Sequence, residues 1–354
     1  MSHLGKCSLV SRTKRLTVMS EYPPSDVVVS MLFREYGMEA NIYKLTGESD
    51  VNYRVSCSDG NDYLLKMSRR SRDNHLDAAF QTDTLRWLGS HDLGFSTPEV
   101  IPSVSGADVV EGKTREDEGF IFRLYSYLPG ILLADALCYE DLRPKIGRMV
   151  ARLHDATENF YHCRASRYVK WDIKNSHALA DYLNVIEDQN LRGLIASMVD
   201  GYVKNVMPLI NELPKQIIHG DLHPGNILID PVKKNIKGVI DFGDIVLSSR
   251  SGDLAIACTG QLDYKDDALK GVLEVLDGYR PEKPLTEVEA NALPYQIGAR
   301  FAAGILFLAS HKKKFPESAH FPEISPEQAY SRVAQWQKLV LGKSSLRDHC
   351  VAGR

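Results

Sequence analysis

Residues 216–244 read Q-I-I-H-G-D-L-H-P-G-N-I-L-I-D, P-V-K-K-N-I and K-G-V-I-D-F-G-D, and they decide the fold class. Their three short apolar runs are rich in β-branched residues and bounded by Gly, Pro and Asp, which is typical of strands joined by turns. The first turn carries four polar residues: His219, Asp221, His223 and Asn226. The third run ends at Asp241. The stretch therefore predicts a loop with one carboxylate and one carboxamide, and a second carboxylate on the next hairpin.

These side chains suit the transfer of a phosphoryl group to an alcohol. The transition state of that reaction is loose, so orientation of the hydroxyl and neutralisation of charge matter more than full deprotonation. Asp221, with an ordinary pKa of about 4, is predicted to orient the hydroxyl and accept its proton. Asn226 and Asp241 offer hard oxygen ligands for Mg²⁺. The structural alternative is that these residues cap strands and form Asx-turns.

The two halves of this stretch together resemble the catalytic signature of the aminoglycoside phosphotransferase and choline kinase-like family, H-G-D-x-x-x-x-N followed by I-D-F/W-x-D. The resemblance implies an α+β, bilobal, protein kinase-like fold with a small β-rich N-lobe and a larger, mainly helical C-lobe. Residues 21–125 are then expected to form the nucleotide-binding N-lobe and residues 126–130 the hinge. Residues 131–345 are expected to form the catalytic and substrate-binding C-lobe.

The composition of the 354 residues, 44% hydrophobic and 25% charged, is that of an ordinary globular protein. A formal net charge of −3 gives no basic field, so neither nucleic acid nor an anionic membrane is an expected partner. Six cysteines without C-x-x-C pairs indicate neither a disulfide framework nor a zinc site, which favours a reducing, cytoplasmic location. No run of 18 apolar residues is present, so no transmembrane helix is predicted.

The first 20 residues hold four basic residues and no acidic one. That composition is compatible with a mitochondrial transit peptide, but the segment lacks the amphipathic period of a transit helix. We therefore expect residues 1–20 to be a disordered extension, or the functional protein to start at Met19.

A predicted helix at residues 25–37 is followed by strand-like segments, the last of which, residues 62–67, carries Lys66. Strand alternation places Leu64 and Lys66 on one face. The order of strand, polar loop, strand, turn and lysine-bearing strand resembles the opening of a kinase nucleotide lobe. This resemblance implies that Lys66 contacts the α- and β-phosphates of ATP or GTP. The alternative is an edge or snorkelling lysine.

The implied nucleotide site relies largely on backbone groups. The polar loop has a single glycine, so the G-x-G-x-x-G of protein kinases is absent. Backbone amides are expected to cover the phosphates from Gly47, Ser49 and Asn52. The strand over residues 120–130 leads into the implied hinge, where backbone groups near Ser126 and Leu128 meet the base.

Members of the family carry, on the helix after the lysine strand, a carboxylate that pairs with the lysine. Residues 75–88 are predicted to form that helix. The usual glutamate is missing, and Ala79 takes its place. Asp77, Gln81 or Asp83 could substitute, depending on the register.

Five further residues receive roles around the catalytic set. His219 is expected to shape the loop by bonding its backbone, and the resemblance implies that Asp253 anchors the loop. Asp244 is a candidate for a cationic group of the acceptor, or a cap of the following turn. His223 either faces the substrate or is a solvated turn histidine, and Arg300 is either on the substrate side or structural.

Helices are also predicted over residues 265–278, 286–311 and 325–341. The elements E-S-D-x-N-Y, Y-L-P-G and W-D-I resemble the hydroxylysine kinase-like branch. The implied function is a small-molecule kinase that acts on an amino alcohol or hydroxy amino acid. Homoserine, choline or ethanolamine, methylthioribose and aminoglycosides are alternative acceptors within the same chemistry. An alternative of another class is a nucleotide-binding pseudokinase that acts as a regulatory module.

Overall fold

The computed structural model describes residues 23–45, 47, 50–113, 119–136, 140–262, 267–316 and 324–351. The predictions for residues 1–20 and for Ser49 lie outside these residues. Within them, an antiparallel sheet precedes a mainly helical part, which confirms the predicted α+β class.

A six-stranded antiparallel sheet dominates the N-terminal part. Its strands are β1 (Ala40–Leu45), β2 (Val51–Cys57), β3 (Asp62–Arg69), β4 (Val100–Ile101), β5 (Val110–Lys113) and β6 (Gly119–Ser126). The order is β1-β2-β3-β6-β4, and β5 also pairs with β6. Because β3 is paired on both sides, Lys66 lies in the interior of the sheet. The alternative of an edge lysine is therefore wrong.

The two faces of β3 have different environments. Leu65 and Met67 are fully buried against Val28 and Leu32 of helix α1 (Ser25–Tyr36). Full burial of such a side chain contributes about 1.5–3 kcal/mol to folding. The opposite face carries Lys66 towards the rest of the chain. Alternation along one strand thus separates the core of the sheet from the cleft, as predicted.

Helix α2 (Arg72–Gly89) follows β3 in the chain and packs against β4 and β6 of the sheet and against a helix of the C-terminal part. Its N-cap is Ser71, whose hydroxyl accepts a hydrogen bond from the Asn74 amide. Its buried apolar residues, Phe80, Leu85 and Leu88, belong to the core of the helical part. The helix is therefore fixed against both parts of the protein.

The helices of the C-terminal part are α3 (Arg143–Thr157), α4 (Gln189–Asn205), α5 (Arg250–Thr259), α6 (Ala268–Tyr279), α7 (Glu287–Lys314), α8 (Pro326–Leu341) and α9 (Lys343–Val351). Helix α7 is central and packs against α4, α5, α8 and α9. By length and composition it could cross a membrane, but 78% of its most apolar window is buried inside the protein. Burial of this kind is what the core helix of a globular protein shows.

Two small sheets carry the signature stretch. Strand β8 (Lys215–Ile218) pairs with β11 (Val246–Ser249). In the other sheet, β9 (Ile227–Asp230) lies between β10 (Asn235–Val239) and β7 (Ile131–Leu132). The strands before and after the first loop thus belong to different sheets, and the loop crosses from one to the other.

Candidate active site

A buried carboxylate anchors the loop that follows β8. Asp253, in the first turn of α5, accepts hydrogen bonds from the backbone amides of His219 (3.2 Å) and Gly220 (2.9 Å). Its Oδ2 atom also lies 3.2 Å from Nε2 of His154. Because a fully buried carboxylate is costly without such partners, these contacts fix the loop on the helix. The structure places Asp253 where the predicted anchor is needed.

The two signature loops, residues 219–226 after β8 and residues 240–245 after β10, touch at Gly220. Its φ of +82° favours glycine, and a Cβ atom there would lie 2.4 Å from the carbonyl oxygen of Asp244. His219 joins the same loops, since its Nε2 donates to the carbonyl of Ile240 (3.0 Å) and its Nδ1 accepts from the amide of Asp221 (3.2 Å). The imidazole therefore links Asp221 to the strand end that precedes the second carboxylate, which supports the predicted shaping role.

Both carboxylate oxygens of Asp221 are held. Oδ1 accepts from Nη2 of Arg300 at 2.5 Å, and Oδ2 accepts from Nδ2 of Asn226 at 3.0 Å. Nε2 of His223 lies 3.4 Å from Oδ2. Burial opposes ionisation, but Arg300 and then His223 outweigh it and lower the pKa of Asp221 below its usual range. Asp221 is therefore ionised at neutral pH and fixed in orientation.

Asn226 and Asp241 present oxygen atoms to one cleft. Nδ2 of Asn226 donates to the carbonyl (2.9 Å) and the carboxylate of Asp221, which leaves its Oδ1 for another partner. Asp241 has a left-handed backbone (φ 61°), and half of its side-chain surface is exposed. Such strain in a non-glycine residue is typical of functional sites.

The oxygens of Asn226 and Asp241 fit a hard divalent cation. Among the described residues, no group of three or more His, Cys, Asp and Glu is placed to hold a metal ion. A cation held by Asn226 and Asp241 would take its further ligands from phosphate groups and water, as magnesium does in kinase sites.

Lys66 pairs with the predicted metal ligand. Its Nζ donates to Oδ1 of Asp241 at 2.7 Å. Burial opposes the charged form of Lys66, but Asp241 and then Asp50 outweigh it and raise the pKa of the lysine. The ammonium in turn lowers the pKa of Asp241. Both groups are therefore charged at neutral pH.

The three candidates for the helix carboxylate lie on α2 with other partners. These are Arg164 for Asp77 (2.6 Å), His162 for Asp83 (3.4 Å) and Arg123 for Gln81 (2.7 Å). Asp77 also lies 3.4 Å from Nη1 of Arg167, whose guanidinium donates to the carbonyls of Gly243 and Ile245. Arg167 thus links Asp77 of the helix to the loop after β10.

A cavity of about 860 Å³ joins these residues. Five residues predicted for the nucleotide site line it: Gly47, Asn52, Lys66, Ser126 and Leu128. Ser126 is bonded to Glu99, because its amide donates to the Glu99 carbonyl and its hydroxyl accepts from the Glu99 amide, both at 2.9 Å. The amide and hydroxyl of Ser126 are thus engaged within the protein. Contact of the base with other backbone groups near Ser126 and Leu128 stays a prediction.

The same cavity extends past Asp221 to Tyr168, Lys170, Trp171, His223 and Asp244. Burial, followed by the neighbouring carboxylates Asp221 and Asp241, raises the pKa of Asp244 to about 7. A bound cation would relieve the crowding of these three carboxylates. Arg300 lies against Asp221 and over the Trp171 ring, 4.9 Å from its centroid. Its role as a substrate-binding residue stays a prediction.

Asp50 and Arg123 are charged residues of the cleft that were not predicted from the sequence. Arg123 interrupts an apolar run, F-I-F-R-L-Y, at residues 120–125. It is 2% exposed. Since a buried arginine needs hydrogen-bond partners, an arginine within an apolar strand sequence could have indicated a buried polar network. Asp50 precedes β2 in the polar loop, where a turn aspartate is common.

Comparison with known proteins places the chain in a family. Residues 45–285 match the model described as the phosphotransferase enzyme family. Hydroxylysine kinase of Xenopus laevis is 26% identical over 351 residues, which cover 92% of this chain and 93% of that protein. Homoserine kinase of Gluconobacter oxydans is 28% identical over 258 residues, which cover 70% of this chain and 75% of that protein.

Solved structures show the same fold. Amicoumacin kinase hAmiN, in complex with AMP-PNP, Ca²⁺ and Ami, has a TM-score of 0.66 at 20% identity, covering 92% of this chain and 93% of the other. A microcompartment-associated aminopropanol kinase has a TM-score of 0.66 at 19% identity, covering 91% and 98%. The predicted kinase-like fold is thereby confirmed. The chain belongs to the phosphotransferase enzyme family, and it is a small-molecule phosphotransferase with an alcohol group as acceptor.

Proposed function

We propose that this enzyme transfers the γ-phosphate of Mg-ATP or Mg-GTP to the hydroxyl of an amino alcohol or hydroxy amino acid, in the manner of hydroxylysine kinase. The observation that carries the proposal is the meeting, in one cavity, of Asp221, Asn226, Asp241 and Lys66. Lys66 and Asp241 are 175 positions apart in the chain, yet they are bonded. The four residues are of the types that phosphoryl transfer requires.

The nucleotide would lie between the sheet and the two signature loops. Asn226 and Asp241 would hold the divalent cation, which when bound neutralises charge on the phosphates. Lys66, charged and buried, would bind phosphate oxygens. Among similar solved structures, a spectinomycin phosphotransferase is in complex with ADP and an aminoglycoside 2'-phosphotransferase is in complex with GDP. They support a purine nucleotide as donor and favour neither ATP nor GTP.

Asp221 would orient the acceptor hydroxyl. Because Arg300 lowers its pKa, Asp221 is a weak base at neutral pH. It is therefore suited to hold the hydroxyl in line with the γ-phosphate and to accept the proton late in the transfer, as a loose transition state allows. Asn226 and His223 keep its second oxygen in place.

The acceptor side of the cavity favours a cationic substrate. Asp244 shares the cavity with Asp221 and Asp241, and its pKa is raised by burial and then by repulsion from these two carboxylates. An ammonium group beside Asp244 would stabilise its charged form. Hydroxylysine, homoserine and aminopropanol, named in similar proteins, each carry both an amine and a hydroxyl. This shared chemistry supports the amino-alcohol class.

The proposal is tested with purified protein, Mg-ATP or Mg-GTP, and a panel of acceptors. The panel contains hydroxylysine, homoserine, ethanolamine, choline, methylthioribose and an aminoglycoside, and nucleoside diphosphate release is measured. We expect the highest kcat/KM for an acceptor with both amine and hydroxyl. Turnover of an acceptor without an amine at an equal or higher kcat/KM would contradict the acceptor class.

Asp221→Asn provides the site-specific arm. It should lower kcat by about 10³-fold or more while leaving nucleotide affinity unchanged, because Asp221 acts on the acceptor. Asp230→Asn, on the nearby β9, is the matched control and should keep full activity. Nucleotide binding without turnover on any acceptor would instead support the regulatory-module alternative, whose only support is the missing helix carboxylate.

A further inference from the structure

Two buried cations lie side by side on the cleft face of the sheet. Lys66 on β3 is directly opposite Arg123 on β6, and opposite Asn52 on β2. Directly opposed residues of antiparallel strands project from the same face. Lys66 is 8% exposed and Arg123 is 2% exposed. Their charges repel each other in a site of low polarity, so the fold must supply compensating carboxylates.

Asp50 is the carboxylate bonded to the arginine of this pair. Its Oδ2 accepts from Nη2 of Arg123 at 2.6 Å, and its Oδ1 accepts from the hydroxyl of Ser68 at 2.5 Å. Ser68 is also 3.1 Å from Nη2 of Arg123. Asp50, Lys66 and Arg123 line the same cavity. The other carboxylate is Asp241, which Lys66 contacts directly.

Helix α2 takes part through a neutral group. Oε1 of Gln81 accepts from Nη1 of Arg123 at 2.7 Å, and Nε2 of Gln81 lies 3.5 Å from the carbonyl of Gly243. Helix α2 thus binds Arg123 through the neutral side chain of Gln81. The negative charge that a glutamate on this helix would supply comes instead from Asp50, which directly precedes β2. Lys66 is bonded to Asp241, and Arg123 is bonded to Asp50.

We propose that Asp50, held by Arg123 and Ser68, takes the place of the missing helix carboxylate and positions Lys66 for the nucleotide phosphates. The inference rests on the proposed function, because it requires a nucleotide at Lys66. When Asp241 serves a divalent cation, Asp50 is the carboxylate that still compensates Lys66 and Arg123. Asp50 and Arg123 are therefore residues that position Lys66. Gln81 links Arg123 to α2 by a hydrogen bond.

The test compares Asp50→Asn with a charge-restoring double variant. Asp50→Asn should lower kcat by about 10-fold and raise the KM for nucleotide by a similar factor, because Lys66 loses its second carboxylate. The double variant Asp50→Asn/Gln81→Glu has a carboxylate on α2 beside Arg123. Its kcat/KM for nucleotide should lie about midway, on a logarithmic scale, between the values of Asp50→Asn and wild type. The KM for the acceptor should change by less than about 2-fold, since Asp50 lies on the nucleotide side.

Asp62→Asn is the matched control on the same sheet. Asp62, like Asp50, accepts from one serine and one arginine, Ser56 and Arg54, but it lies outside the cavity lining. We expect its kcat and nucleotide KM to be those of wild type. Equal kinetics for Asp50→Asn and Asp62→Asn would overturn the inference. Loss of activity in Asp50→Asn without recovery by Gln81→Glu would also overturn it, since a structural role alone predicts that result.

Two further measurements keep these outcomes distinct. If Asp50→Asn does not fold, Ser68→Ala removes one hydrogen bond from Asp50 without a change of charge, and it should raise the nucleotide KM about 3-fold. An unchanged KM would then refute the inference. Wild-type binding of Mg-nucleotide is measured by calorimetry. If the wild type turns over and Asp50→Asn has wild-type kinetics, the inference about Asp50 is wrong and the proposed function stands. If the wild type binds no nucleotide, both the inference and the proposed function are wrong.

Discussion

Arg300 donates a hydrogen bond to Oδ1 of Asp221 at 2.5 Å, and the two residues are 79 positions apart. The arginine comes from the central helix α7, whereas the aspartate lies on the loop after β8. Their side chains are 11% and 20% exposed. Because removal of one partner from a buried pair leaves an uncompensated charge, the orientation and pKa of Asp221 depend on how the helical core is packed.

Replacement of Arg300 should therefore change the pH dependence of the reaction. In Arg300→Met, burial acts on Asp221 without its strongest opposing charge, so the pKa of Asp221 rises. Since Asp221 must be ionised, we expect the acid limb of the kcat/KM profile to move to higher pH and kcat at pH 7 to fall about 10–100-fold. Profiles between pH 5 and 9 measure both effects. Arg332→Met, which removes an arginine stacked on Phe301, serves as control. An unmoved acid limb would contradict this coupling.

Replacement of Asp253, which anchors the loop after β8, should lower turnover as well as stability. Asp253→Ala removes the acceptor of the His219 and Gly220 amides, at a cost of about 2–4 kcal/mol in the free energy of unfolding. The loop then loses its position, so we expect kcat to fall at least about 10-fold with little change in nucleotide KM. Glu289→Gln alters another fully buried carboxylate, bonded to Arg250, and should destabilise without loss of kcat. Equal kcat values in the two variants would argue against the anchoring role.

Gly220 should tolerate no side chain. A Cβ atom at this position would lie 2.4 Å from a backbone oxygen of Asp244. An alanine here would also have to adopt the positive φ of Gly220. We expect Gly220→Ala to cost about 2–4 kcal/mol in the free energy of unfolding and to lower kcat, because the two signature loops must separate. Gly60→Ala isolates the backbone effect, since Gly60 has a φ of +87° and open space around it. Chemical denaturation measures both variants, and similar losses would show that the loop contact is unimportant.

Asp244 should make the protein less stable at alkaline pH. Its folded-state pKa is about 7, whereas an unfolded aspartate has a pKa of about 4. The folded state thus retains a proton that the unfolded state loses, and the stability associated with this group falls as pH rises from about 4 to 7. We expect Asp244→Asn to be more stable than wild type at pH 8.5, by up to about 4 kcal/mol. The difference should shrink towards pH 5.

Thermal melts of wild type and Asp244→Asn in EDTA, at pH 5 and pH 8.5, test this expectation. Asp230→Asn is the control, because Asp230 bonds backbone amides at a turn and its pKa is lowered rather than raised. A stability difference for Asp244→Asn that is the same at both pH values would refute the raised pKa.

Local patterns were sufficient for much of the fold. The lysine strand, the β9–β10 hairpin and the helices near residues 268–279 and 326–341 lie close to where alternation and helical spacing predict them. Periodicity reports burial of each element, and that information is local. Helix α9 was not predicted separately, and the pairing of β8 with β11 rather than with β9 was not foreseen. Strand pairing depends on which surfaces meet, which alternation within a strand does not encode.

The sequence by itself determined the chemistry of this protein. Asp221, Asn226 and Asp241 lie within one short stretch, and their residue types and spacing indicated phosphoryl transfer before any contact was known. Only the tertiary structure decided which charges meet: Lys66 with Asp241, Arg300 with Asp221, and Arg123 with Asp50. These pairs span 73 to 175 positions, and their contacts follow from sheet register and helix packing. Interactions between residues so far apart arise only when the chain has folded.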